Sequence, residues 1–289
     1  LPRFVEEIDY SQFKNVVIYT KDSCNYCNYT KNYLKHYNIK FESVVLNDDN
    51  KRKEFYKDLS SSINKEINSV PQIFINDKYV GGFEDFIKFI RPKFNFTKLM
   101  EVSKVLIKNL NKIIDLNFYP VPETELSNKR HRPLGIGIQG LADVFINMEI
   151  GFDSEEAKEL NKQIFAVIYY SSLEKSNQLS QKYGPYETFK GSPISQGKFQ
   201  FDLWNIDPIT SVEGLELDWN TLRQNIMDSG VYNSLLLAPM PTASTSQILG
   251  FNECFEPYSS FIYARSTLAG QFEVINHKLI NDLMELGLW

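Results

Sequence analysis

Thr20-Lys21-Asp22-Ser23-Cys24-Asn25-Tyr26-Cys27 holds two of the chain's three cysteines, spaced C-x-x-C. An apolar, strand-like segment, Val16-Val17-Ile18-Tyr19, precedes it, and a helical pattern from Asn28 to Tyr37 follows. Cys24 is therefore expected at a strand-to-helix turn. The unpaired N–H groups and positive dipole end of a helix stabilise a thiolate there. Lys21 adds a cation three residues upstream. The thiolate is the reactive form of cysteine, so the pattern points to thiol–disulfide exchange. Half of a zinc site is the weaker reading, because no second C-x-x-C or C-x-x-H exists and His36, His131 and His277 stand alone. A structural disulfide across so short a loop adds little stability, and the rest of the chain does not look secreted.

The 289 residues are enough for two domains. Three cysteines in this length fit a reducing compartment, and a cytoplasmic location is expected. A net charge of −5 without basic blocks argues against nucleic-acid binding through an electrostatic patch. No apolar run is long enough to span a membrane, and the start carries no signal-peptide pattern. The first residue is Leu1 rather than Met, so the chain is expected to be processed or a piece of something longer.

Around the cysteine pair the pattern reads βαβαββα. Strands are expected over Phe13–Tyr19 and Phe41–Leu46. Between Asp48 and Ile63, Phe55, Leu59 and Ile63 recur four residues apart, predicting a helix. Ser69–Ile75 and Tyr79-Val80 flank an Asn76-Asp77-Lys78 hairpin turn, Gly81-Gly82 follows, and Glu84–Ile90 closes as a helix. Cys24-Asn25-Tyr26-Cys27, Val70-Pro71 and Gly81-Gly82-Phe83-Glu84-Asp85 together resemble a dithiol glutaredoxin of the thioredoxin fold over residues 13–92. The resemblance implies a cis bond before Pro71, with the Val70 backbone free to pair with an extended thiol. It further implies Cys24 as nucleophile and Cys27 as resolving thiol. Glutathione, the reductant, would be held by Lys21, Tyr26, Val70, Pro71, Gly82, Glu84 and Asp85. Two departures stand out: Asn25 replaces the family's common proline, and Phe83-Glu84 replaces a small or hydroxyl pair, setting a carboxylate against the glutathione carboxylate.

Beyond the Arg91-Pro92-Lys93 boundary, Leu99, Val102, Val105, Leu106, Leu110, Ile113 and Ile114 recur at helical spacing and predict a core helix ended by Asn117 and Pro120-Val121-Pro122. Gly135-Ile136-Gly137-Ile138-Gln139-Gly140 matches the dinucleotide string, but the polar Asn128–Pro133 precedes it where an apolar strand is needed. These glycines are expected instead to bring a helix close against a strand. Glu155–Tyr183 reads as a long helix, and residues 191–215 as turns. Ser234–Ala238 reads as a buried strand feeding Pro239–Ser246. A loop of small hydroxyl residues at a helix start suits a phosphate, or merely caps the helix through Ser244 or Thr245.

Residues 93–289 resemble the C-terminal half of the catalytic barrel of the class I ribonucleotide reductase large subunit, of the eukaryotic and large-DNA-virus kind. The matching stretches are Asn109–Asp115, Ser127–Ala142, Leu160–Tyr170, Gly184–Glu187 and Ser234–Gly250. The resemblance implies an α/β barrel part, and Thr242, Ala243, Ser244 and Thr245 as holders of the substrate diphosphate. It places the radical cysteine, the substrate-reducing cysteines and the specificity loops upstream, and the radical-relay tyrosines and redox tail downstream. The implied partners are the missing N-terminal half of the large subunit and a radical-generating small subunit; no metal is expected in this chain. Cys254 matches no catalytic cysteine and is read as packing. Leu1-Pro2-Arg3-Phe4-Val5 resembles the end of an upstream reductase stretch (residues 1–12), so the glutaredoxin is expected as an insertion. The expected function is ribonucleotide reduction, for deoxyribonucleotide biosynthesis, with a built-in oxidoreductase that regenerates the reductase. The alternative is a stand-alone glutathione-dependent disulfide oxidoreductase whose reductase fragment is a scaffold or nucleotide-binding module.

Overall fold

The computed structural model describes residues 1–267, 270–285 and 287–289. The chain divides into two compact units: Glu7–Lys93, and Leu1–Glu6 together with Phe94–Trp289.

The first unit is built on a four-stranded sheet in the order Glu42–Val45, Val16–Thr20, Gln72–Ile75, Lys78–Gly81. Val16–Thr20 runs parallel to Glu42–Val45 and antiparallel to Gln72–Ile75, with Ile18 opposite Ser43 on one side and Ile73 on the other. Alternating side chains divide the sheet's two faces. Ile18 and Ile73 pack with Leu34 of helix Asn25–His36 and with Phe86 and Ile90 of helix Phe83–Ile90. On the opposite face Tyr19 stacks on Phe55 of helix Asp49–Ile63, with ring centroids 4.3 Å apart. That helix starts where Asp48 accepts hydrogen bonds from Asn50 N and Lys51 N, both at 2.9 Å. The hairpin turns at Asn76 and Asp77, both at positive φ (51° and 64°), the geometry a two-residue turn requires. The Val70–Pro71 bond is cis.

In the second unit the helices Phe96–Leu116 and Glu155–Tyr183 pack together. Both helices bury small and polar side chains as well as apolar ones: Ser103, Asn111, Ser171, Ser172, Ser176, Asn177 and Ser180 are all buried. This corrects the expected core face of the first helix. Leu99 and Ile114 are buried, but Val102, Val105, Leu106 and Ile113 are exposed. Apolar periodicity misassigned the face because two of its inward positions carry Ser103 and Asn111, whose side chains satisfy themselves on the carbonyls of Leu99 (2.8 Å) and Ile107 (2.9 Å).

Asn111 belongs to a buried network that joins four parts of the chain. Asn233 Nδ2 donates to Asn111 Oδ1 and to Arg132 O, both at 2.9 Å. Its Oδ1 accepts from Asn111 Nδ2 (3.1 Å) and Ser176 Oγ (2.9 Å). Arg132, buried, adds hydrogen bonds to Asn111 Oδ1, Asn111 O and Asp115 Oδ1 and lies 4.2 Å from the centre of the Tyr232 ring. A buried guanidinium is tolerable only when paired and hydrogen-bonded in this way. The network fixes residue 233, from which the chain runs into Ser234–Ala238.

Two further expectations change here. The polar stretch before Gly135 is the end of a helix, Pro122–His131, which Arg132 terminates in the left-handed conformation (φ 46°). Gly135 and Gly137 do not bring a helix against a strand. They lie in an extended segment whose Ile136 bridges Leu237 in parallel, and a Cβ on Gly137 would sit 3.2 Å from Met240 N. Ser234–Ala238 is buried only at Leu236, while Leu235 is 63% exposed. An apolar run shows that a segment is extended more readily than which neighbours cover it.

Replacing Asn233 by leucine keeps the number of side-chain heavy atoms and removes four hydrogen bonds, taking a partner from Asn111, Ser176 and Arg132 O. The expected loss is about 2–4 kcal/mol. All three tryptophans (204, 219 and 289) lie in the second unit, so urea unfolding followed by tryptophan fluorescence measures this loss directly.

Candidate functional site

Helix Asn25–His36 begins one turn earlier than its apolar pattern, so Cys24 is its N-cap residue. Cys24 Sγ accepts a hydrogen bond from Cys27 N at 3.2 Å. That bond satisfies one of the donors every helix start leaves open, using sulfur in place of a serine or aspartate oxygen. The two cysteines form a disulfide with Cα atoms 5.3 Å apart. Cys24 is 8% exposed and Cys27 1%, so solvent reaches the first sulfur more readily. Val70 O lies 3.7 Å from Cys24 Sγ.

Of the expected glutathione residues, the structure sets Val70 against this sulfur. Lys21 and Tyr26 are exposed beside it in sequence, and Val70 and Pro71 lead into the strand Gln72–Ile75. Gly82 follows the hairpin: a Cβ there would stand 3.8 Å from Pro71 O. Gly81 must be glycine, since its φ is +134° and a Cβ would fall 2.4 Å from Asp85 Oδ2. Glu84 and Asp85 occupy the first turn of helix Phe83–Ile90, where carboxylates favour the helix dipole. Asp85 also accepts from Gly82 N at 3.4 Å. The Phe83 ring lies 5.3 Å from that of Tyr26 and 6.2 Å from that of Tyr29. Tyr26 was among the expected site residues, but Tyr29 and Phe83 were not; a tyrosine and a phenylalanine near a thiol carry no spacing that distinguishes surface from site.

In the second unit, Thr242, Ala243, Ser244 and Thr245 form the turn before a short helix, Thr245–Leu249. Several bonds pin this turn. Thr242, β-branched yet at positive φ (56°), accepts Cys254 N on Oγ1 at 2.8 Å and Ser246 N on its carbonyl at 3.0 Å. A branched side chain in that region is strained and needs such support. Ala243 O accepts from Arg265 Nη2 (3.0 Å), and Arg265 also pairs with Glu253 (2.6 Å). Thr245 Oγ1 donates to Gln139 Oε1 at 3.0 Å. Ser244 is exposed and makes no side-chain capping bond, so the capping reading does not apply to it. Gln139, Glu253 and Arg265 are positioning residues that local sequence could not reveal, because each reaches the loop from a distant segment. Asp143 accepts from Tyr258 (2.7 Å) and Asn252 N (2.8 Å), and burial with this carboxylate pushes the Tyr258 hydroxyl well above its usual range.

Cys254 is a buried free thiol whose burial pushes its pKa up. Among the described residues, no group of three His, Cys, Asp or Glu side chains is placed to hold a metal ion, and no helix is long and apolar enough to cross a membrane.

Comparison with known proteins finds two families along the chain. The glutaredoxin family matches residues 16–80, and the ribonucleotide reductase barrel-domain family matches residues 79–289. The large subunit of ribonucleoside-diphosphate reductase from Acanthamoeba polyphaga mimivirus is 56% identical over 206 residues, covering 71% of this chain and 23% of that protein. The corresponding Danio rerio subunit is 57% identical over 196 residues (68% of this chain, 24% of that protein). The Cryptosporidium parvum large chain is 54% identical over 208 residues (72% and 25%). The chain thus spans about a quarter of the length of the curated relatives it matches. It belongs to the ribonucleotide reductase barrel-domain family and carries a glutaredoxin domain in the same polypeptide.

Proposed function

We propose that this chain is part of a ribonucleoside-diphosphate reductase large subunit in which the glutaredoxin domain, inserted between Leu1–Glu6 and Phe94, returns electrons from glutathione to the reductase. The observation that carries the reading is the Cys24–Cys27 pair capping a helix in a chain whose remainder belongs to the reductase family.

Reduction of a ribonucleoside diphosphate takes two electrons from protein thiols and leaves them as a disulfide. With its own pair reduced, Cys24 attacks one sulfur of that disulfide as thiolate; a mixed disulfide forms and the other sulfur leaves, taking up a proton. The helix N-terminus and the Cys27 N–H favour the attacking charge. Cys27 then attacks Cys24 Sγ, releasing the second reductase thiol and leaving the Cys24–Cys27 disulfide. One glutathione thiolate attacks Cys24 and frees Cys27; a second removes the first as glutathione disulfide. Lys21, Tyr26, Val70, Pro71, Gly82, Glu84 and Asp85 hold the incoming glutathione. A covalent link between reductant and reductase raises their effective concentration.

In the barrel unit, the exposed turn Thr242–Thr245 holds the substrate diphosphate through backbone N–H groups and hydroxyls, while Arg265, Gln139 and the Cys254 N–H hold the turn. The polypeptide completing the barrel and a radical-generating small subunit are the partners of the working enzyme. By itself the chain does not reduce ribonucleotides, because none of its three cysteines is assigned to radical chemistry.

In the complete enzyme, Cys24→Ser is expected to lower glutathione-supported turnover by at least about a hundredfold, while turnover with a small external dithiol persists. Unchanged glutathione-supported turnover contradicts the role. A second measurement separates the three thiols. When the fully reduced chain is treated with iodoacetamide, Cys24 is expected to label first and Cys27 next, with Cys254 protected until urea is added. Peptide mass mapping reads the order.

A further inference from the structure

Two exposed tyrosines and a half-buried phenylalanine form a cluster beside the disulfide. Tyr26 and Tyr29 lie on the helix that Cys24 caps, with ring centroids 6.3 Å apart, and Phe83 closes the triangle at 5.3 and 6.2 Å. Tyr26 and Tyr29 are 58% and 57% exposed. Two facts place the cluster at the reacting sulfur. Tyr26 stands between the cysteines in sequence, and Phe83 follows Gly82, which packs at Pro71 next to the Val70 carbonyl facing Cys24. The cluster lies away from the packed interior: the unit's core is made by Val16, Ile18, Leu34, Ile39, Ile73, Ile75, Phe86 and Ile90.

We propose that Tyr26, Tyr29 and Phe83 form a recognition platform for a disulfide-bearing polypeptide segment with apolar side chains beside its cysteine and a basic residue nearby. The proposal rests on the exchange reading of Cys24 and Cys27 and adds to it the kind of disulfide preferred. The rings offer more apolar area than glutathione can cover, since that tripeptide has no apolar side chain. Aromatic side chains present such area at small entropic cost and account for a large share of recognition energy where they are exposed. Charge points the same way. Glu84 and Asp85 follow Phe83 in the first helical turn, and Asp85 already accepts from Gly82 N. Glutathione offers a single ammonium to this edge, whereas two adjacent carboxylates also favour a lysine or arginine. An extended segment running past Val70 would set its cysteine at Cys24, its flanking apolar side chains on the rings, and its basic residue at Glu84. Tyr26 is shared with the glutathione site; Tyr29 and Phe83 are specific to the polypeptide.

The test uses the full chain with glutathione, glutathione reductase and NADPH, and three disulfides: bis(2-hydroxyethyl) disulfide, a cyclic two-cysteine peptide flanked by leucine and lysine, and the same peptide with serine for leucine. The wild type is expected to show a lower KM for the leucine peptide than for the serine peptide. Tyr29→Ala and Phe83→Ala are expected to raise the leucine-peptide KM about three- to tenfold, with its kcat and the rates for the other two substrates held. Phe83→Leu, which keeps bulk, is expected to fall between. Equal KM values for the two peptides in the wild type overturn the platform, as does a uniform slowing of all three substrates in the variants, which marks a structural role. A wild type that reduces none of the three, hydroxyethyl disulfide included, overturns the underlying exchange reading, and the platform with it.

Discussion

The hydrogen bond from Asn95 N to Phe4 O, 2.7 Å long, carries much of the architecture. It joins two segments of the larger unit that are separated in sequence by the whole of Glu7–Lys93. Asn95 Nδ2 donates to Glu6, and the Phe4 and Phe94 rings meet at 6.0 Å. Asn95 is also the N-cap of helix Phe96–Leu116, its Oδ1 accepting from Lys98 N at 2.7 Å. One residue thus ties the short upstream segment down and starts the helix that organises the second unit. A domain whose flanking segments are already adjacent can be inserted without reorganising its host, because little chain entropy is lost in closing the loop.

The redox chemistry follows from a comparable economy. The sulfur that caps the helix is the sulfur proposed to react, so the N–H group left open by helix geometry is placed on the charge that would develop during exchange. In the barrel unit the proposed diphosphate turn is held from outside itself. Arg265, Gln139 and the backbone of Cys254 hold it, while the Asn111–Arg132–Asn233 network fixes the extended segment that leads into it.

The fold of the first unit was legible because each of its signals is local. Alternation in Val16–Thr20, Asp48 ahead of a helix, Asn76-Asp77 between two strands and glycines after the hairpin all act within a few residues of themselves. The second unit was less legible for the opposite reason. Its inward helix positions include Ser103 and Asn111, so apolar periodicity chose the wrong face, and helix Pro122–His131 has no apolar stripe at all. The polar stretch before Gly135 and Gly137 argued against a dinucleotide fingerprint, yet their neighbour was misjudged, because a glycine signals close approach without saying to what. Among site residues, the cysteines were legible from spacing. Tyr29, Phe83, Arg265 and Gln139 were not, since their roles arise only when distant segments meet.

The most direct test of a reductant built into its own reductase is the dependence of turnover on enzyme concentration. With the complete enzyme, saturating glutathione and a ribonucleoside diphosphate, specific activity should stay constant on dilution, because electron return occurs within one polypeptide. Specific activity that falls on dilution, and is restored by adding the free glutaredoxin domain, would contradict it.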